Sequence, residues 1–74
     1  MNLKSSKDIG ELVRKTRKSH KITQKELAAA SGTGIRFVQE LEKGKPSCEL
    51  EKALTVLLML GIRVNAQLPE TLKG

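Results

Sequence analysis

Ile9, Leu12, Val13, Thr16 and His20 recur at three- and four-residue intervals, the repeat that gathers side chains on one face of an α-helix. Ser5 or Ser6 stands ready to cap this first helix. Arg14, Lys15 and Lys18 fall off the stripe, and the helix is expected to fade near residues 19–21. Thr23-Gln24-Lys25-Glu26 then has the form of a capping box, in which the threonine hydroxyl satisfies a free N–H and the acid reaches back to the cap. It predicts a short second helix over 24–30, where Leu27, Ala28, Ala29 and Ala30 allow close packing. Ser31-Gly32-Thr33 should break that helix, with Gly32 in the left-handed conformation that follows many helix ends. Thr33 can cap a third helix over 34–43, with Val38 and Leu41 inward and Ile35 or Phe37 beside them; Gly44 and Pro46 mark its stop. A fourth helix is predicted from residue 48 or 49 to 60, with Glu49 and Glu51 in the first turn, where the helix dipole favours acids. Its inward stripe reads Leu50, Ala53, Leu54, Leu57 and Leu58. Val56, Met59 and Leu60 are left over and need other cover.

Beyond Gly61 the period changes. Ile62, Val64, Ala66 and Leu68 alternate with Arg63, Asn65 and Gln67 until Pro69, the signature of a half-buried strand over 62–68. A strand needs a partner for its backbone groups, and the sequence offers no second one. The simplest partner is the same strand of a second copy, paired antiparallel about a two-fold axis. The expected dimer interface is therefore Leu57, Met59, Ile62, Val64, Ala66 and Leu68. The chain divides into an N-terminal arm (1–7), a helical domain (8–61), a dimerisation strand (62–68) and a short tail (69–74).

Composition narrows what such a bundle can do. The chain has 74 residues and a formal net charge of +6, enough for one domain only. Residues 1–45 hold 11 Lys and Arg against 5 Asp and Glu, so they carry the whole excess, while residues 46–74 hold 3 of each. One part is built for a polyanion and the other for something apolar. One cysteine, Cys48, excludes an internal disulfide, and with the single His20 it cannot make the four-ligand set of a structural zinc. No metal or cofactor is expected. Phe37 is the only aromatic residue, so stacking platforms for single strands are absent. No Ser/His/Asp set, carboxylate pair or Gly-rich loop with a lysine suggests an enzyme. Residues 1–8 are polar and lack the apolar run of a secretion signal. The apolar stretch 53–60 is far short of the roughly 20 residues needed to span a bilayer. A cytoplasmic protein, nucleoid-associated when bound to DNA and without a membrane partner, is expected.

Two short helices joined by a tight glycine-containing turn form a helix-turn-helix unit. The run TQKELAAASGTGIRFVQELEKGKPS, within residues 8–61, resembles the core of the Xre/Cro family, which includes the lambdoid phage repressors. The shared pattern is Thr-Gln at the start of helix 2, Glu-Leu-Ala within it, Gly in the turn and Leu-Glu-x-Gly-Lys after helix 3. The resemblance implies an all-α, lambda-repressor-like bundle of four helices with helix 3 in the major groove of double-stranded DNA and helix 2 across the backbone. It places Thr33, Ile35, Arg36 and Gln39 at the bases. Arg36 has the donors for guanine O6 and N7, Gln39 suits adenine N6 and N7, and Ile35 could press on a thymine methyl. It places Gln24, Lys43 and Lys45 at phosphates; Lys21 and Lys25 add field. Glu40, an acid one residue from Gln39, either accepts from cytosine N4 or, as expected here, faces away from the groove. Arg17 and Glu42 match a family ion pair joining helix 1 to the end of helix 3, a structural role.

A four-helix core of this kind followed at once by a strand also resembles the antitoxins of Hip-type toxin–antitoxin pairs. That resemblance, carried by Gly-Ile-Arg-Val-Asn-Ala-Gln-Leu-Pro, implies a homodimer that binds palindromic operators of its own operon and holds a kinase-like toxin. The six residues after the strand are fewer than some antitoxins carry. A stand-alone repressor without a toxin stays open, as does a protein-interaction module whose helix-turn-helix does not read DNA; the basic N-terminal part argues against the latter.

Overall fold

The computed structural model describes residues 5–46 and 49–63. Four helices occupy them: α1 (Ser6–Ser19), α2 (Gln24–Ser31), α3 (Ile35–Glu42) and α4 (Leu50–Met59). No strand occurs among the described residues. Of the expected strand over 62–68, residues 62 and 63 have no regular structure, and 64–68 lie outside the described residues. No described helix is long and apolar enough to cross a membrane.

The caps fix where the helices begin. The Ser5 hydroxyl accepts from the Asp8 N–H and starts α1. At α2 both halves of the capping box are formed: Thr23 Oγ1 accepts from the Glu26 N–H at 3.0 Å, and Glu26 Oε1 accepts from the Thr23 N–H at 2.8 Å. Thr33 does not cap α3. Gly34 holds the cap position without a side-chain bond, because the Thr33 hydroxyl is engaged by Ser31 Oγ at 2.9 Å. Ser31 continues α2 rather than breaking it, and its buried hydroxyl donates to the Leu27 carbonyl at 2.8 Å.

The four described helices end alike. In each, the residue after the cap region bends left-handed and two N–H groups return to the last turn, which satisfies carbonyls the helix leaves free. Glycine takes the left-handed position after α2, α3 and α4 (Gly32, Gly44 and Gly61), but after α1 it is Lys21, at φ 58°. There the Lys21 N–H donates to Lys18 O at 3.0 Å and the Ile22 N–H to Arg17 O at 3.4 Å. A side chain at such a φ carries a steric cost, so the tight exit of α1 is held against local preference.

α1 packs on α3, and α2 packs on both α3 and α4. The core comprises Val13 of α1, Leu27 and Ala28 of α2, Val38 and Leu41 of α3, and Val56, Leu57 and Leu60 from α4 and its end; Ile9, Ile22, Phe37, Ala53 and Ile62 close its margins. Val13, Leu27, Val38 and Val56 are almost wholly buried, each such side chain contributing about 1.5–3 kcal/mol relative to exposure. His20, placed on the α1 stripe, is exposed at the helix end with Nε2 3.3 Å from the Leu60 carbonyl.

α4 is rotated from the expected orientation. Ala53, Val56, Leu57 and Leu60 face the core, whereas Leu50, Leu54, Leu58 and Met59 are exposed. The reason lies in the sequence: apolar residues fill both candidate faces at helical spacing, so periodicity could not choose between them. Packing against α2 chooses. Leu57, expected at a dimer interface, is thus part of the chain's own core at 4% exposure.

Candidate nucleic-acid interface

α1 and α3 meet closely at Gly10. A Cβ at that position would lie 2.4 Å from the Leu41 carbonyl oxygen and 2.8 Å from that of Glu42. Only glycine lets the helices approach this far. The approach brings Arg17, about two turns further along α1, against the last turn of α3. Arg17 Nε donates to Glu42 Oε2 at 2.6 Å, Nη2 donates to Glu42 Oε1 at 3.1 Å, and Nη1 donates to the Ile22 carbonyl at 2.9 Å. Both side chains are largely enclosed. The hydrogen bond to Glu42 chiefly, with the charge attraction behind it, raises the Arg17 pKa further above its ordinary value, against the opposing effect of burial. Each of the three guanidinium nitrogens thus donates one bond.

Glu42 has a third partner. Gln24 Nε2 donates to Glu42 Oε1 at 3.1 Å. Gln24 is the first residue of α2, so this bond ties the start of α2 to the end of α3 and fixes the amide beside the free N–H groups of the helix terminus. An ion pair and an amide from three helices converge on one carboxylate. Sequence reasoning placed Gln24 at a phosphate without this link.

Beside Glu42 the outward surface of α3 is open to solvent. Arg36 is 89% exposed, and its Nε lies 3.3 Å from Glu40 Oε1. Its terminal Nη1 and Nη2 have no partner among the described residues. Glu40 also faces Lys45 Nζ at 3.9 Å, so the acid sits between two cations. Ile35 is 44% exposed, clear of the core; Phe37 takes the core-side place instead. Gln39 and Lys43 are exposed, and Thr33 is half-buried with its hydroxyl tied to Ser31.

A cleft of about 610 Å³ opens between α1, α2 and α3, lined by Arg14, Arg17, Lys18, Gln24, Gln39, Glu42 and Lys43. It brings together Gln24, Gln39 and Lys43 from the expected set, and leaves out Thr33, Ile35, Arg36 and Lys45. Arg14 and Lys18 were not among the expected contacts. Their signal was present: residues 14, 17 and 18 share one helix face, and Arg17 was already placed on α3. Met59 is exposed at 55%, Ile62 lies at the core margin, and Val64, Ala66, Leu68 and Cys48 fall outside the described residues.

Comparison with known proteins agrees with this geometry. Residues 13–65 match the helix-turn-helix family. The chain is also similar to the uncharacterized HTH-type transcriptional regulator y4mF of Sinorhizobium fredii, at 43% identity over 67 residues, covering 90% of this chain and 88% of that protein. With its capped α2, glycine turn and exposed α3, and with most of its length matched in this way, the chain belongs to the Xre-type helix-turn-helix family.

Proposed function

We propose that this protein is a sequence-specific DNA-binding transcriptional repressor that reads a palindromic operator as a homodimer. The carrying observation is the surface that α2 and α3 form together. α3 presents Ile35, Arg36, Gln39 and Lys43 to solvent, beside the start of α2 that Glu42 holds in place through Gln24. With Nε occupied by Glu40, the two terminal nitrogens of Arg36 remain for guanine O6 and N7, while Gln39 suits adenine. Gln24, Lys43 and Lys45 take phosphates and set the register. The similarity to a protein named as a transcriptional regulator supports the same reading.

Operator selection from a random duplex pool, followed by a binding titration against salt, tests it. With roughly 6–10 phosphate contacts per dimer, affinity should fall on the order of 10³-fold or more between about 50 and 200 mM salt. A salt-independent titration, or no enriched sequence, removes the reading.

The Hip-type antitoxin role adds a kinase-like toxin as partner and the protein's own operon as target. It rests on the alternation over 62–68. The exposed apolar face of α4, Leu50, Leu54 and Leu58, supports protein contact there, by a second copy or by a toxin. Co-purification with a kinase-sized protein at fixed stoichiometry supports the antitoxin role. Purification alone, with full operator affinity and no such neighbour encoded, favours the stand-alone repressor.

A further inference from the structure

The charges of the cleft between α1, α2 and α3 do not cancel. Among the described residues Glu42 is its only acid, and both of its oxygens are taken by Arg17 and Gln24. Arg17 in turn spends three of its five N–H groups, one from each nitrogen, on Glu42 and Ile22. Arg14 and Lys18 of α1 and Lys43 after α3 also line the cleft. Among the described residues none of these three has an acidic partner. Arg14 and Lys18 stand at i and i+4 on one helix, where like charges repel and weaken the helix. Lys18 gains from the dipole at the end of α1, but Arg14, further from that end, has no such return. A surface that gathers unpaired cations around an open cavity, beside an amide held at a helix start, is matched to an oxyanion.

We infer that Arg14 and Lys18 form a second phosphate-binding site, on α1, that grips the DNA backbone next to the phosphate held at Gln24. The inference rests on the DNA-binding reading and adds to it a contact outside the helix-turn-helix unit. The same cleft is lined by Gln39 of α3, Lys43 just after it, Gln24 at the start of α2, and Arg14 and Lys18 of α1. A strand whose bases face α3 therefore runs its backbone along this cleft. The role of Arg17 differs from that of its neighbours: it braces the cleft wall, and they bind. Because phosphates carry no base identity, the site contributes to every sequence equally.

The test compares Arg14→Gln/Lys18→Gln with Lys7→Gln/Lys15→Gln, which removes the same charge from exposed positions of α1 outside the cleft. Both are titrated against salt on an operator selected by the wild type and on a random duplex of equal length. Each phosphate contact contributes about 0.9 to the slope of log affinity against log salt. The cleft variant should lose about two from that slope per bound subunit, equally on both duplexes, and Arg14→Lys should keep the wild-type slope. A methylphosphonate scan locates the contact. At least one neutralised phosphate should weaken wild-type binding and leave the cleft variant unaffected. If wild type binds with a steep slope and the two double variants behave alike, or if every neutralised phosphate costs both proteins the same, the α1 site is wrong and the repressor reading stands. If wild type itself binds no duplex in a salt-dependent way, both fall. A cleft variant that loses its helical circular dichroism leaves the decision to the scan on Lys18→Gln alone, read by the same criterion.

Discussion

Arg17 and Glu42 lie 25 positions apart in sequence and hold each other through two parallel hydrogen bonds, at 2.6 and 3.1 Å. The pair bolts the end of α1 to the end of α3 where little water reaches. Breaking a buried pair by removing one partner leaves the other charge stranded and costs about 3–5 kcal/mol. Arg17→Met should therefore destabilise the domain by about that amount in urea unfolding, and Glu42→Leu by at least as much, since it also strands Gln24. The double variant Arg17→Met/Glu42→Leu should recover most of the loss. Strictly additive single losses would show that the two side chains act independently.

Gly10 makes a separate test of the same junction. An alanine there forces its Cβ onto the Leu41 carbonyl, 2.4 Å away, and backbone cannot swing aside as a side chain can. Gly10→Ala should cost about 1–3 kcal/mol by overpacking, although alanine is the better helix former. Equal or higher thermal stability would mean that α1 and α3 separate easily and that the cleft between them is not rigid.

These contacts show what the sequence could and could not tell. Caps and stops act over three or four residues, so Ser5, the Thr23 box and Gly44 were readable one turn at a time. Thr33 was misread as a cap because its competitor, Ser31, is two residues away and becomes a partner only once α2 extends to bury it. The orientation of α4 was not readable, because Leu54 and Leu58 satisfy the same helical spacing as Val56 and Leu60. Only the surface of α2 tells them apart. At the interface the residue types were legible and the connections were not. Gln24 reads as a phosphate contact, but its bond to Glu42 spans 18 positions. Arg14 and Lys18 read only as residues off the apolar stripe of α1, because where that side of the helix points is fixed by Arg17 and its partner on α3.

Arg36 and Glu40 give a prediction about specificity. Their contact is exposed, so it contributes no more than a few tenths of a kcal/mol to stability, and its interest lies in what it does near a polyanion. Glu40→Gln removes a negative charge beside Arg36 and Lys45. It should raise affinity for random duplexes while leaving the melting temperature nearly unchanged. Arg36→Ala should cost about 1–3 kcal/mol per half-site on the selected operator and relax preference at one base pair. Lys43→Ala should weaken binding to all sequences alike. Equal losses for Arg36→Ala on operator and random DNA would make Arg36 a phosphate contact.

The proposed homodimer has two candidate joints, and they can be separated. One is residues 62–68, expected as a strand. The other is the face of α4 carrying Leu50, Leu54 and Leu58, where Leu58 is 73% exposed and Leu50 68%. These residues stand at i, i+4 and i+8, one continuous apolar stripe, and three leucines in water on so small a domain favour a partner. An operator with half-sites about one helical turn apart needs both subunits held together. Joining them makes the second contact intramolecular, which raises affinity on the order of 10²–10⁴-fold without new base contacts. Leu54→Lys/Leu58→Lys changes only exposed positions, so helical circular dichroism should persist, and the protein should sediment as a monomer with operator affinity reduced on that scale. Val64→Pro removes a ladder N–H and bars extended pairing. If residues 62–68 and α4 form one joint, it should give the same two losses. A Val64→Pro protein that stays dimeric while the lysine variant dissociates assigns the joint to α4 alone, and the reverse assigns it to the strand. Wild-type protein that sediments as a monomer on and off DNA removes the homodimer altogether.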